Sequence, residues 1–337
     1  MPLKNYGVLA CRVLDTRAEG GAGAPHFQIR VRGGERDFRV AVNVLSQEAP
    51  SELLYAADEA FEHPVLTALP GLPDGFSVLP NTPGQSAFDY IRANLFDRES
   101  MRPLPPTAPG PDNDLADKLH HYVDRAAAEP TARLYAFGER WGPENGQPDK
   151  IFGFTPGNGV HDIHMNQGNT GRFTRDDGIW QDGGLLLHFP AAEQWVAVFL
   201  AFQSQSWHTD DRTGHTLPTV HAVGPHAGPE EPDHLVRIVA AHVGDAGRQR
   251  ETVTLLNTGV ADLDLAGWAL LDARDGRISL PSTRLPAGEA ARIPLAPPVQ
   301  LDGHGGLLTL LDPAGLKVDG VAYTGRQAGQ EGRTIVF

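Results

Sequence analysis

The stretch "GNGVHDIHMNQGN" places His161, Asp162, His164, Asn166 and Gln167 within a short segment bounded by glycines. Breakers on both sides leave too little room for a stable helix, so an extended strand is expected. Strand period then sets Asp162, His164 and Asn166 on one face and His161, Ile163 and Met165 on the other, with the apolar pair marking the second face as the packed one. A carboxylate, an imidazole and an amide carbonyl in a row suit a divalent ion such as Mn, Zn, Fe or Mg better than copper. The same row also reads as a metal-free proton-transfer site, with Asp162 holding one ring nitrogen of His164. A third reading is a hydrogen-bond network that ties the following loop to the sheet. Further along, "VFLAFQSQSWHTDD" turns polar at its C-terminal half, where His208 with Asp210 and Asp211 would complete a metal site or a His-Asp pair. Asp182 and Arg172 or Arg175 are further candidates for meeting an anionic substrate.

The elements that would carry these groups are strand-rich. "PHFQIRVRGGERDFRVAVNV" reads as a hairpin turning at Gly33-Gly34, with Ile29 opposite Phe38, Phe27 opposite Val40 and Arg30 opposite Asp37. Helical spacing appears in "SAFDYIRANLF" through Phe88, Ile91 and Leu95. It is clearer in "PDNDLADKLHHYVDRAAAEP" through Leu115, Leu119, Tyr122 and Ala126, with His120 and His121 on the same helix. Short alternating runs follow from Thr131, so the first domain is expected to be α+β, a β-rich sheet packed by about two helices. A Gly-, Pro- and His-rich linker over 216–233 precedes a run of short strands with turn signals and no helical pattern, the spacing of a β-sandwich.

Composition narrows the class. The chain has 337 residues, 40% of them hydrophobic, and balances 28 basic against 42 acidic residues for a net charge of −14. No broad phosphate-neutralising surface is expected, although Arg30, Arg32 and Arg39 would form a local strip. A single cysteine, Cys11, offers neither an internal disulfide nor a thiolate zinc cluster. With no apolar leader and no membrane-length run, the expected location is cytoplasmic, with no transmembrane segment. P-loop, dinucleotide, serine-elbow and zinc-protease signatures are absent from the sequence.

The segment "VTLLNTGVADLDLAGWALLDARDG", followed by "LPAGEAARIPL" and "LDGHGGLLTLLDPAGLKVDGVAY", resembles the lamin-tail domain family over 235–325. That resemblance implies an all-β immunoglobulin-like sandwich with Trp268 in its core and Asn257 and Gly259 at a tight turn. It also implies a docking role toward a protein or envelope partner, often beside hydrolase domains. "MPLKNYGVL", "FGERWGP", "GNGVHDIHMNQGN", "WQDGGLLLHF" and "FLAFQSQSWHTDD" resemble the YukJ-like bacterial family across 1–212, which implies no particular chemistry. The organisation read from these features is a YukJ-like domain over 1–215, a linker over 216–233 and a lamin-tail-like sandwich over 234–337. Three functions compete. The first is a metal-assisted hydrolase, acting on a phosphoester, with Asp162, His164 and His208 as catalytic residues and Asp162, His164, Asn166 and Asp210 as metal ligands. The second is a non-catalytic ligand-binding adaptor, and the third, disfavoured by the acidic charge, is a nucleic-acid-binding module.

Overall fold

The computed structural model describes residues 6–18, 26–44, 53–78, 94–97, 100–104, 114–161, 183–202, 235–244, 251–313, 315, 317–329, 332 and 334–337. These fall into two compact units, one built from 6–61, 69–78 and 96–202 and the other from 62–68, 94–95 and the chain from 235 onward. Among the described residues no helix is long and apolar enough to cross a membrane.

The first unit contains β1 (Tyr6–Ala18), β2 (His26–Gly33), β3 (Arg36–Asn43), β4 (Leu53–Asp58), β5 (Gly75–Val78) and β6 (Arg102–Pro103). Helix α1 (Asp114–Ala128) and β7 (Arg133–Trp141), β8 (Gly159–His161), β9 (Gly183–Phe189) and β10 (Gln194–Phe202) complete it. The ten strands form one sheet in the order β5-β1-β2-β3-β8-β7-β9-β10-β4-β6. A further pairing of β1 with β7 bends its middle into a closed ring, β1-β2-β3-β8-β7 and back to β1. Closure is possible because β1 is long: Tyr6 to Cys11 pair with β7, and from Arg12 onward the strand pairs with β2, with a register shift between Val13 and Asp15. The N-terminal region is therefore barrel-like and strand-rich, where the sequence pattern predicts a sheet flanked by helices.

Alternation explains the barrel core. Phe27, Ile29 and Val31 on β2, Phe38, Val40 and Val42 on β3, and Val160 on β8 are all buried. Leu9, Cys11 and Val13 of β1 continue the same inward row. Helix α1 forms where expected and buries Leu115, Leu119, Tyr122, Val123 and Ala126. Its His120 ring meets Phe27 edge-on at 4.7 Å, so the helix packs at an end of the barrel. The helix read over Phe88 and Ile91 lies outside the described residues; Asn94, described, has left-handed backbone at φ 50.

The hairpin forms with a corrected register. Gly34 and Glu35 make the turn, Gly33 pairs with Arg36, and Ile29 lies opposite Val40, Phe27 opposite Val42 and Arg30 opposite Arg39. Gly34 has φ 63, the positive value a type II′ turn needs at its first central position. Gly33 is held in the strand instead, where an added Cβ would lie 2.9 Å from the Cα of Gly75. Because the shift amounts to two residues on one strand, every side chain keeps its expected face.

The second unit contains β11 (Val236–His242), β12 (Thr252–Asn257), β13 (Leu263–Asp264), β14 (Ala269–Asp272) and β15 (Arg277–Ser279). It continues with β16 (Arg284–Leu285), β17 (Ala290–Pro294), β18 (Gly305–Leu311), β19 (Lys317–Thr324) and β20 (Thr334–Val336). Two four-stranded antiparallel sheets, β17-β12-β11-β20 and β15-β14-β18-β19, share a core that includes Val253, Leu255, Trp268, Leu270, Leu308 and Leu310. A single helical turn, α2 (Gly325–Ala328), departs from the all-strand expectation. Its cause is local: Thr324 and Gln327 form a reciprocal capping box.

Candidate functional site

The same alternation that fills the barrel leaves a polar outer face. Pairing puts His26, Gln28, Arg30 and Arg32 of β2 beside Asn43, Ala41, Arg39 and Asp37 of β3. It puts Gly159 and His161 of β8 beside Trp141 and Glu139 of β7. Gly159 is required at its position, since a Cβ there would stand 2.0 Å from the Arg39 carbonyl and 2.2 Å from the Trp141 ring.

The centre of this face is a buried charge network. Arg39 Nε donates to Asp149 Oδ2 at 2.7 Å and its Nη1 donates to Gln28 Oε1 at 2.8 Å, while the guanidinium lies 4.7 Å from the Trp141 ring centroid. The other Asp149 oxygen accepts the backbone N–H groups of Ile151 and Phe152 at 3.0 and 2.8 Å. Each partner is thus bonded beyond the ion pair itself, which offsets the cost of taking two charges out of water. Asp149 belongs to the 142–158 loop, which also anchors through Asn158 Nδ2 to the Asp37 carbonyl at 2.8 Å. Arg17 Nη1 reaches the Ile151 carbonyl at 2.6 Å, so the loop is tied to β1 as well as to β3.

Toward the hairpin turn the face is basic and more exposed. Arg30 and Arg32 both donate to the single carboxylate of Asp37, at 2.5 Å each for their shortest bonds. Burial pushes the Asp37 carboxyl up, but the hydrogen bonds and charges of Arg32 and Arg30 outweigh it and hold its pKa below the usual carboxylate value. At the opposite end stand the half-buried His26, His161 and Glu139; the His161 ring is 4.5 Å from Trp141 and 5.8 Å from His26. His161 is therefore on the polar outer face, and its neighbour Val160 is the residue in the core. This corrects the expectation that His161 shares a packed face.

Asp162, His164, Asn166, Asp182, His208, Asp210 and Asp211 lie outside the described residues, as do Arg172 and Arg175. Among the described residues no group of three His, Cys, Asp or Glu side chains is arranged to hold a metal ion. Arg30, Arg32 and Arg39 do share one face, as read from the sequence. What sequence reasoning missed is His26, Gln28, Glu139, Trp141 and Asp149; alternation in "HFQIRV" and in "FGERWG" carried a signal for the first four. Asp149 had none, since its partner is 110 positions away.

In the second unit Asn257, Asp272 and Asp319 serve the scaffold. Asn257 donates to the carbonyls of Ala261 and Leu285 and accepts from Gly259 N–H. Asp272 accepts from the backbone of Arg274, Gly276 and Gln300, and Asp319 from that of Ile238. A cleft of about 1220 Å³ opens beside Asp272, Arg274, Asp302 and Tyr323. Its carboxylates are engaged, with Asp302 accepting from Arg274 and His304.

Residues 1–214 match the family described as "Uncharacterized conserved protein (DUF2278)". The "Uncharacterized protein YukJ" of Bacillus subtilis (strain 168) is 48% identical over 214 residues, covering 63% of this chain and 93% of that protein. No solved structure matches the chain.

Proposed function

The chain belongs to the DUF2278 family of uncharacterized conserved proteins, and from that premise we propose, on its residues alone, a metal-assisted hydrolase acting on a phosphoester. One observation carries the reading. β8 ends at His161, on a face where a second imidazole, His26, and the Glu139 carboxylate also stand outside the core, and Asp162 is the next residue in the chain. The proposal assigns the metal to Asp162, His164 and Asn166, with Asp210 as a further ligand and His208 as a proton-transfer group. Carboxylate, imidazole and amide oxygen donors fit Mn, Zn, Fe or Mg, and such an ion supplies a water acidic enough to act at neutral pH.

The test is metal content by elemental analysis and turnover of a phosphoester panel, measured on the wild type, His164→Ala and His161→Ala. His164→Ala is expected to lose metal and activity with a modest change in melting temperature. A wild type with no divalent ion and no turnover overturns the hydrolase.

A second reading is favoured by the second unit, where the buried Asn257 and Asp272 side chains are occupied by backbone partners. It is a non-catalytic adaptor, in which 234–337 is a lamin-tail-like, immunoglobulin-like sandwich docking to a protein or envelope partner, joined through 216–233 to a ligand-binding YukJ-like domain over 1–215. Retention of partner capture by the wild type with no metal and no turnover would select it.

A further inference from the structure

We propose that the arginine strip of β1 and β2 near the hairpin turn, with the 142–158 loop, binds single-stranded nucleic acid. The inference goes beyond the hydrolase reading and does not require it. Its first support is topology. The ring β1-β2-β3-β8-β7 closes with β1 against β7. All its pairings are antiparallel except the parallel β3 and β8, and α1 intervenes in the chain between the third and fourth ring strands. This is the plan of the five-stranded oligonucleotide- and oligosaccharide-binding barrel, which uses the outer surface of its second and third strands and the loop between its fourth and fifth. Here those are β2, β3 and the 142–158 loop.

Fold alone does not assign a ligand, so the second support is the chemistry of that surface. Arg12 on β1 pairs across to Arg32 on β2, and both are exposed. Arg30 and Arg32 share one carboxylate, Asp37, and Asp15 of β1 lies opposite Arg30, so with Arg12 the cluster sets three arginines against two carboxylates. The acidic balance of the whole chain makes this strip a local exception rather than part of a broad basic surface. Beside it the loop offers two half-buried rings, Phe154 with the Arg30 guanidinium 5.9 Å from its centroid and Phe152 with that of Arg17 at 5.1 Å. Guanidiniums for phosphates and ring faces for bases are what a single strand needs. A duplex, with its bases stacked inside, would find only a narrow strip of charge. A neutral oligosaccharide could use the rings but has no need of the arginines.

The experiment is fluorescence anisotropy of the full chain with labelled single-stranded DNA and RNA of about 15 nucleotides, long enough for one such barrel. EDTA is present so that binding is read without turnover, and the blunt duplex and a neutral oligosaccharide are run as competitors. Single strands are expected to bind and to be displaced by salt, with the duplex at least about tenfold weaker. Arg12→Ala with Arg32→Ala should weaken binding about tenfold and reduce the slope of log affinity against log salt by about 1.4, two phosphate contacts at about 0.7 each. Phe154→Ala should weaken binding while leaving the slope unchanged, and Arg292→Ala, an exposed arginine of the second unit, should change nothing. Absence of binding at low salt, equal binding of duplex, displacement by the neutral sugar, or an equal loss with Arg292→Ala would overturn the proposal. Binding that persists in His164→Ala, with phosphoester turnover absent, would separate this surface from the hydrolase reading.

Discussion

The two units bury polar groups in different ways. On the barrel face, Arg39 is satisfied by other side chains, Asp149 and Gln28, drawn from a loop and a neighbouring strand. In the second unit, Asp272 and Asn257 are satisfied by backbone groups of nearby turns and strands. Backbone partners fix a chain path and little else. Side-chain partners fix the position of other functional groups, and here they do so beneath a surface where arginines, imidazoles and rings remain in reach of solvent. The contrast separates a region built to hold its own shape from one that organises a surface.

The sharpest way to break this contrast is at Arg39. Arg39→Ala strands the buried Asp149 carboxylate and should cost roughly 3–5 kcal/mol, read as a lowered midpoint in denaturant with the 142–158 loop opened to proteolysis. A loss near that of a surface arginine would show that the network is not holding the loop. Trp268→Ala should remove a comparable amount from the second unit, again roughly 3–5 kcal/mol, because it leaves a cavity in the shared core. Loss of its calorimetric transition alone would confirm that the units melt separately. Asp272→Ala should cost less, about 2–3 kcal/mol, by leaving backbone donors without an acceptor. Asp272→Asn, which keeps an acceptor, should recover part of it.

The smallest effect is acid titration, and its sign is fixed by the direction of each shift. Burial depresses the pKa of His188, with nearby Glu129 opposing, and its ring stacks on Trp195 at 4.2 Å. Its contribution is full above about pH 6.5, the unfolded value, and is lost as pH falls through the lower folded value. Asp37, also lowered, loses its contribution further down, as pH drops below about 3.9. The melting temperature should therefore decline modestly below neutrality and again in strong acid. His188→Gln should remove the first decline and leave the second.

Local pattern was legible in the sequence and distant pairing was not. Helix α1 announces itself because Leu115, Leu119, Tyr122 and Ala126 repeat at helical spacing. The β2–β3 hairpin is visible for the same kind of reason, but alternation repeats every two residues, so it cannot distinguish a turn at Gly33-Gly34 from one at Gly34-Glu35. The close approach of Gly75 decides that, and it comes from elsewhere in the chain. Closure of β1 on β7 and the parallel pairing of β8 with β3 join residues more than a hundred positions apart, and no periodicity encodes them. The candidate site follows the same rule. His161 and the polar segment it opens were evident from residue types, while His26 and Glu139 become neighbours of His161 only through the barrel.

Cys11 faces the barrel interior, fully buried, with its thiol directed at the Leu134 carbonyl at 3.4 Å and its pKa pushed up by burial, against the opposing charge of Arg133. It is the only cysteine in the chain, so the folded protein is silent to thiol-directed reagents. A cysteine introduced at the exposed Lys150 would then be the sole labelling position. A dye placed there would report motion of the 142–158 loop during a titration without any need to remove the native thiol, and reactivity regained by Cys11 itself would time the opening of the barrel.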